Sequence, residues 1–335
     1  MDWKGGKAAM RYQPFEMHCH TRHSDGSFTV PGLLEGVAAY GYAGLALTDH
    51  NAVSALREVT PELEARTCCV IPGIEWTTFF GHLLVLGCRR FVDWRFVTPD
   101  TIDGALAEIR EAGGVAGVAH PCEVGSPLMC GCNWEFHVTR WDLVDYVEIW
   151  SGDNPHARAK NALALPWYDD LLNAGHHLAV SAGRDWHGPD KPGDTPLLTA
   201  TYLGIDGPVT AEGALAALRA GRTYVTMGPT VDLTLRREGR EFGLGETAEA
   251  GSAELTVLVG QEERREIWNR NKIQATGLRV TANGKTVAEV PYTSGAVSLP
   301  VELAPGWLRV ELLGTYFGDQ SGILALTSPV YVEAK

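Results

Sequence analysis

The 335-residue sequence has no apolar run long enough to cross a membrane, and its first residues lack the apolar core of a signal peptide. Its seven cysteines are an odd number and are scattered along the chain. This usage fits a reducing compartment better than a disulfide framework. We therefore expect a cytoplasmic protein that does not act at a membrane.

Blocks of lysine and arginine are also missing, and the formal net charge is −13. An acidic chain of this kind is poorly suited to non-specific binding of nucleic acid or of an anionic membrane. Hydrophobic residues make up 45% of the chain, which provides for a sizeable core and argues against general disorder. A small-molecule substrate is thus the expected partner, and the oligomeric state stays open, a homo-oligomer included.

Histidine is absent from residue 230 onward, where the texture of the sequence changes. Segments such as 255–259 and 307–312 alternate apolar and polar residues in the manner of strands. Asn283-Gly284 is a strong signal for a hairpin turn. We predict a small all-β sandwich domain, Ig-like in size, over residues 230–335 and expect no metal chemistry there.

The first two-thirds of the chain instead alternates short apolar runs with helical patterns. One predicted helix runs through residues 33–40 and ends at Gly41, and a second begins at Pro99 and ends at Gly113. Strand–helix alternation indicates parallel βαβ units. About seven strand candidates are present, so the predicted fold class of this part is α/β.

A histidine-rich motif follows the first predicted strand, with the sequence His-Cys-His-Thr-Arg-His-Ser-Asp-Gly. Residues i and i+2 of a strand point to the same face, so His18 and His20 can hold one metal ion together. Asp25 follows on the loop and offers an oxygen ligand. Imidazole and carboxylate together suit Zn²⁺, Mn²⁺ or Fe²⁺ better than Ca²⁺.

Side chains that can bind metal recur at or near the ends of the later apolar runs, namely His50, Glu75, His82, His120, Asp185 and His187. In a parallel α/β barrel the carboxyl ends of all strands meet on one face, where active sites lie. Each side chain alone could be a capping or core residue. Six such placements together favour a single metal centre.

These residues, in this order, resemble the motifs of the polymerase and histidinol phosphatase (PHP) family of metallohydrolases. The family motifs H-x-H-x-x-x-S-D-G, T-D-H, G-x-E and A-H-P are matched at residues 18–26, 48–50, 73–75 and 119–121. The closing motif G-S-D-x-H is matched at residues 183–187, with Arg184 where serine or threonine is usual. The chain is therefore similar to this family over its first two-thirds.

The resemblance implies a distorted (β/α)7 PHP barrel over residues 1–229 and two or three divalent metal ions, Mn, Zn or Fe, which form a trinuclear centre when all sites are filled. The spacing of the residues alone does not give the ligand partition that the family implies. In that partition the first metal is held by His18, His20, Glu75 and Asp185, the second by Glu75, His82 and His120, and the third by Asp25, His50 and His187.

The resemblance also implies a hydrolase in which a metal-bridging hydroxide attacks a small phosphomonoester or phosphodiester. Segments 147–150, 167–175 and 217–229 are similar to the carbaryl-hydrolase-like branch of the family. That branch implies an alternative, a carbamate, amide or ester hydrolase or a promiscuous phosphotriesterase, which the motifs do not separate from a phosphoesterase. A non-catalytic module for metal binding or assembly is a third hypothesis, and the complete ligand set counts against it.

Several polar residues near the motifs are further candidates. Glu75 and Asp185 are expected to be catalytic as well as metal-binding. Arg184 could clamp a phosphate or pair with Glu148, a strand-end carboxylate that could bind substrate or orient ligands, and we favour the pairing. His23 is either a general acid or a loop residue without a catalytic role, and we favour the second interpretation.

Two loops are candidate substrate-binding segments. The segment 122–141 is long, glycine-rich and aromatic, and it directly follows a predicted ligand. If it is a lid, Trp134 and His137 would contact substrate, but an ordered surface excursion fits equally well. The segment 153–160 is the second candidate, and Arg158 is its proposed substrate-binding residue.

Overall fold

A computed structural model describes residues 10–124, 132–191 and 193–335. The helices are α1 (Val30–Ala39), α2 (Pro61–Arg66), α3 (Ile102–Glu111), α4 (Ala159–Asn173), α5 (Ala211–Arg219) and α6 (Arg265–Trp268). The strands are β1 (Arg11–Cys19), β2 (Gly44–Leu47), β3 (Cys69–Thr78), β4 (Gly81–Leu86), β5 (Val115–Ala119), β6 (Tyr146–Ser151), β7 (Ala179–Gly183), β8 (Ala200–Ile205), β9 (Thr223–Thr226), β10 (Thr230–Arg237), β11 (Arg240–Phe242), β12 (Thr247–Glu249), β13 (Gly251–Gly260), β14 (Gln274–Ala282), β15 (Lys285–Pro291), β16 (Ala296–Leu303), β17 (Gly306–Tyr316), β18 (Gln320–Thr327) and β19 (Val330–Glu333).

Strands β1 to β7 lie side by side in chain order. Strands β1, β2 and β3 are parallel, as are β5, β6 and β7. Strand β4 runs antiparallel to both of its neighbours, because only Phe79 and Phe80 separate it from β3 and a parallel crossover needs a dozen residues or more. Continuous apolar runs such as β2 and β5 are buried along their whole length, as expected for strands covered on both faces.

The regular strand–helix alternation predicted from the sequence is therefore not what the structure shows. Besides β4, strands β8 and β9 also pair antiparallel, β8 with β1 and β9 with β8. Beyond β7, the backbone of Trp186 exchanges hydrogen bonds of 3.0 and 2.9 Å with His18 and His20, which joins the last strand of the row to the first. The fold is mixed α/β, strand-rich, and the regular (β/α)7 form is not confirmed.

The helices begin and end where the local sequence dictates. Thr29 caps α1 by accepting a hydrogen bond from the amide of Gly32, and the leucines and valines of this helix face the core. The helix expected from Pro99 begins at Ile102, because Thr98 and Thr101 form a hydrogen-bonded turn before it. Within the described residues, none of the helices is both long enough and apolar enough to span a membrane.

The part of the chain after residue 230 is built almost entirely of antiparallel strands. One sheet of four strands has the order β11-β10-β13-β16. The remaining strands pair around β17, and the predicted hairpin at Asn283 and Gly284 joins β14 to β15 with positive φ at both residues. Leu255 of the first sheet and Leu312 of the second belong to one core, in the manner of packed sheets.

The predicted domain boundary at residues 229 and 230 is crossed by a continuous sheet. Strand β18 pairs antiparallel with β9, so the strands of the C-terminal region extend the sheet that begins with β1 to β9. The hydrophobic core is also continuous, with members from Cys19 to Val332. The two regions therefore share backbone hydrogen bonds and core packing.

Candidate metal centre

The end of β1 places two imidazoles on one face of the strand. His18 and His20 are fully buried, and their ring centroids lie 5.1 Å apart. Cys19 between them points to the other face, where its thiol donates to the carbonyl of Ala46. Strand alternation thus gives the arrangement expected from the His-x-His spacing.

The carboxylate of Glu75 on β3 lies at the centre of this face, fully buried, and contacts histidines from four other segments. Its Oε1 is 2.8 Å from His82 Nδ1 and 3.2 Å from His120 Nε2. Its Oε2 is 2.8 Å from His50 Nδ1 and 3.1 Å from His18 Nε2. A carboxylate that faces different histidines with each oxygen has the shape of a ligand that bridges two cations.

Two aspartates extend the cluster toward solvent. Asp185 Oδ1 is 3.0 Å from His20 Nε2 and 3.4 Å from His18 Nε2. Asp25 Oδ1 is 3.2 Å from His187 Nε2, and the Asp25 side chain is 60% exposed. His187 Nδ1 donates to the carbonyl of Asp185 at 2.7 Å, which leaves Nε2 free to face Asp25. The cluster therefore opens to solvent on the side of Asp25.

Two residues of the cluster have an unfavourable backbone conformation. Asp185 has a φ of 51° and His120 a φ of 26°, both in the region that disfavours side chains with a Cβ. Such conformations cost about 1–3 kcal/mol each and collect at functional sites, where the surrounding structure holds them in place. The strain points to a role for these positions other than stability.

Among residues 10–124, 132–191 and 193–335, groups of ligand atoms lie within 4.8 Å of one another in three places. The groups are His18, His20, Glu75 and Asp185; His50, Glu75 and His82; and His20, Asp25, His50 and His187. The first group has the same members as the set that the family resemblance implies for one metal. In the second, His50 stands where that set has His120, although His120 also contacts Glu75. The third adds His20 to the implied set.

Buried polar atoms without partners show that the donor set fits metal ions. His18 Nε2, Glu75 Oε2 and His82 Nε2 are buried, and none of them makes an aligned hydrogen bond with the described residues, although His18 Nε2 lies 3.1 Å from Glu75 Oε2. Leaving such atoms unsatisfied is costly, and a bound cation would satisfy them. Imidazole nitrogens with carboxylate oxygens suit Zn²⁺, Mn²⁺ or Fe²⁺.

The charges in the cluster also suit metal binding. Burial would raise the pKa of Glu75, but the neighbouring histidines, His18 above all, outweigh burial and hold it well below its usual range. Burial also opposes ionisation of Asp185, and His18 and His20 lower its pKa in spite of it. Both carboxylates are thus held in the ionised form that binds cations.

Glu148 lies on the buried side of the cluster and is not exposed to solvent. It is 1% exposed, and its Oε2 lies 3.1 Å from His18 Nδ1 and 3.2 Å from the amide nitrogen of His120. A carboxylate on the second ring nitrogen fixes the tautomer and orientation of a metal-binding histidine. This geometry favours the orienting role over the substrate contact predicted as the alternative.

Two further buried carboxylates hold the cluster, and neither was among the predicted site residues. Glu16 Oε1 accepts from the amides of His18 at 3.1 Å and Arg184 at 2.8 Å. Asp49 accepts from the amide and hydroxyl of Thr21 and so fixes the loop after β1. Both signals were present, since Glu16 shares a strand face with His18 and Asp49 is part of the Thr-Asp-His motif.

The predicted pairing of Arg184 with Glu148 is wrong. The Arg184 guanidinium is buried and pairs with Asp153 and Asp190, at 2.7 and 2.6 Å from Nη2. It also stacks on Trp186, with Cζ 4.2 Å from the ring centroid. With two carboxylates and an aromatic ring around it, the guanidinium joins the loop of Asp153 to the loop of Asp190. Its donors are engaged by these carboxylates, which favours a structural role over a phosphate clamp.

His23 lies apart from the histidine cluster. Its Nδ1 is 2.9 Å from Ser54 Oγ, and its Nε2 is 2.7 Å from Glu58 Oε1. Both ring nitrogens are thus engaged on the loop that follows β2. This arrangement favours the loop role over that of a general acid.

The candidate substrate-binding residues occupy different surroundings. Trp134 packs against Gly81, next to His82, while His137 is 72% exposed and lies 2.9 Å from Asp100. Residues 125–131 of the same loop lie outside the described part of the chain. Arg158 is exposed, and its guanidinium lies against Gly152 at the end of β6. Trp134 therefore lies beside a residue of the cluster, whereas Arg158 and His137 lie on the surface.

Comparison with known proteins adds evidence on the fold. No protein-family model and no curated protein matches the chain. A candidate metal-dependent phosphoesterase from Bifidobacterium adolescentis aligns with 55% of this chain and 91% of its own, with 19% identity and a TM-score of 0.38. An amidohydrolase from Chromobacterium violaceum, with bound sulfate and no metal, aligns with 52% of this chain and 88% of its own, with 18% identity and a TM-score of 0.35.

A third structure aligns over the whole molecule. It is a two-domain protein from Bacteroides vulgatus containing a predicted PHP-like metal-dependent phosphoesterase. The match covers 98% of this chain and 100% of that one, with 14% identity and a TM-score of 0.53. At this identity the likeness shows the fold alone. The chain thus shares the overall fold of this two-domain protein.

Proposed function

We propose that this chain is a metal-dependent hydrolase that cleaves small phosphomonoesters or phosphodiesters. The proposal rests on Glu75, a buried carboxylate whose two oxygens lie within 3.4 Å of five imidazoles, those of His18, His20, His50, His82 and His120. Burying so many ionisable groups together is unfavourable unless cations bind them. Such a centre is typical of hydrolases, in which closely spaced metals act on an ester.

The proposed centre contains two or three ions of Mn, Zn or Fe. We assign the first ion to His18, His20, Glu75 and Asp185, the second to Glu75, His82 and His120, and the third to Asp25, His50 and His187. His50 faces Glu75 with Nδ1 and Asp25 with Nε2, so this residue connects the second and third sites.

Bound divalent ions supply a hydroxide nucleophile at neutral pH and neutralise the charge that develops on the ester oxygens. The chain supplies the positions of the ligands. Glu148 holds His18 Nδ1, so that Nε2 is directed into the cluster. Asp25 and His187, on the exposed side, leave the approach open to a small substrate. No serine or cysteine nucleophile is part of the proposal.

The proposal is tested with the Mn²⁺-reconstituted protein on paired chromogenic substrates, p-nitrophenyl phosphates beside a naphthyl carbamate and an aryl acetate. We expect phosphoester cleavage that a chelator abolishes and that is lost in Glu75→Gln. Turnover of the carbamate or acetate with little phosphate release would show a carbonyl-ester hydrolase instead. No turnover, despite two or more bound ions, would favour a binding module.

A further inference from the structure

One histidine of the loop after β6, residues 152–158, contacts the C-terminal β region. His156 Nε2 donates a 2.8 Å hydrogen bond to the carbonyl of Ile323 on β18. Its ring also stacks on Tyr316 of β17, with centroids 5.3 Å apart. This loop carries Asp153 and ends at Arg158, so its position decides where both side chains lie.

Gly322 makes room for the His156 ring. A Cβ at this position would lie 2.9 Å from His156 Nε2 and 3.0 Å from its Cε1. Real Cβ contacts are almost never that short, so any side chain here would push the imidazole away from Ile323. The glycine therefore fits the close approach of the loop and not a backbone turn.

The loop after β7 is held by the same region. Asn271 Nδ2 donates to the carbonyl of Pro196 at 2.9 Å, and Arg264 reaches the carbonyl of Leu198 at 3.4 Å. Arg264 also donates to the carbonyl of Tyr40 at 3.0 Å. A segment of the C-terminal region thus fixes the stretch that follows the last predicted metal ligand, His187.

The two loops meet beside the metal cluster. Arg184 pairs with Asp153 from the first loop and Asp190 from the second. The amide of Leu197 donates to the carbonyl of Asp153 at 2.9 Å, which joins the loops directly. Since Arg184 immediately precedes Asp185, the two loops that the C-terminal region contacts lie next to the cluster.

We propose that the C-terminal β region positions the two loops beside the metal centre, which form the rim that faces the substrate. His156 is the positioning residue. This inference rests on the proposed function, because the rim matters only where a substrate binds. The β region supplies none of the clustered ligands, so it acts on substrate affinity and leaves the metal sites intact. Arg158, at the end of the braced loop, is the side chain whose placement depends on it.

Gly322→Ala tests this proposal, because it displaces His156 and changes little else. We expect a KM about fivefold higher, the effect of one lost hydrogen bond, with kcat within about twofold of wild type and the metal content unchanged. Amide hydrogen exchange in residues 152–158 should rise. Gly277→Ala is the matched control, since a Cβ on that strand glycine meets only ordinary contacts, 3.5 Å or longer.

His156→Ala closes the cycle. It should reproduce the higher KM, and Gly322→Ala should add nothing to it, because the displaced ring is already absent. Unchanged amide hydrogen exchange in residues 152–158 would show that His156 does not hold the loop in place. This result would count whether or not the protein is a phosphoesterase, because the exchange measurement needs no substrate. A parallel loss of kcat and metal would also overturn the proposal, because the β region would then only hold the fold together.

Discussion

The two regions of this chain bury charged groups in opposite ways. Up to residue 229, the buried cluster around Glu75 leaves His18 Nε2 and His82 Nε2 without an aligned hydrogen bond to the described residues. In the C-terminal region, the buried pair Arg309 and Glu311 is closed, with Glu311 Oε1 2.9 Å from Arg309 Nη2 and Asp169 on the other side of the guanidinium. Both regions bury charge, but among the described residues the cluster around Glu75 leaves several polar atoms without an aligned partner, whereas the Arg309–Glu311 pair leaves none.

The difference separates groups that stabilise the fold from groups that await a ligand. A closed pair satisfies itself, and removing one member leaves the other charge buried without compensation. An open cluster has no such balance, which supports the proposal that metal ions complete it. All eleven histidines precede residue 230, so the chemistry and the β framework are divided along the sequence as well.

The largest effect is expected from a matched pair of buried glutamates. Glu75→Gln removes the shared ligand and should lower activity by about a thousandfold or more and release metal. Glu311→Gln weakens a closed pair and should cost about 1–3 kcal/mol of stability, with activity within about twofold. Metal analysis, kinetics and thermal unfolding of both variants check this. Full metal content in Glu75→Gln, or lost metal in Glu311→Gln, would contradict the distinction between a metal-binding cluster and a closed ion pair.

A smaller loss is expected at Glu148, which orients the cluster without belonging to it. Glu148→Gln keeps the volume but removes the charge facing His18 Nδ1, so metal affinity should fall about 10–100-fold. Competition with a chelating dye measures this affinity. Glu289→Gln, on an exposed strand position of the C-terminal region, is the control. Equal affinities in Glu148→Gln and wild type would mean that Glu148 only fills space.

A modest pH effect is expected where the two regions touch. Burial lowers the pKa of His177, whose ring stacks on Tyr331 of β19 with centroids 3.6 Å apart. The folded state therefore holds fewer protons than the unfolded chain, and stability falls as pH drops through the ordinary histidine pKa near 6.5. Unfolding temperatures between pH 8 and pH 5 should show a shallower slope for His177→Phe. An identical slope would contradict this assignment.

The smallest effect is expected on the surface of the C-terminal region. Arg236 pairs with Glu241 on an exposed hairpin, where solvent screens the interaction. Arg236→Ala should leave the melting temperature, metal content and activity unchanged within measurement error. A clear loss of activity would link this hairpin to the metal centre and break the division between the two regions.

The sequence predicted the residues of the site better than the direction of the strands that carry them. His18 and His20 share a face because strand alternation is a local property. The family motifs indicated that Glu75 and Asp185 would join them. His82 opens its apolar run, and only an antiparallel strand presents its first residue at the edge where its neighbours end. The position of His82 could have indicated an antiparallel β4, but the expectation of parallel units obscured this signal.

What the sequence did not reveal depends on contacts between distant segments. The partners of Arg184 come from two loops, and no local pattern pairs it with Asp153 or Asp190. The pairing of β9 with β18 joins segments about a hundred residues apart, so the continuous sheet could not be read from hydrophobic periodicity. Non-local pairing decided both features.

Metal stoichiometry shows directly whether the open cluster binds more than one ion. Purified protein, stripped with chelator and reconstituted with Mn²⁺ or Zn²⁺, should bind two or three ions per chain and unfold at a higher temperature than the stripped form. Fewer than one ion per chain, or the same stoichiometry in Glu75→Gln, would contradict the account.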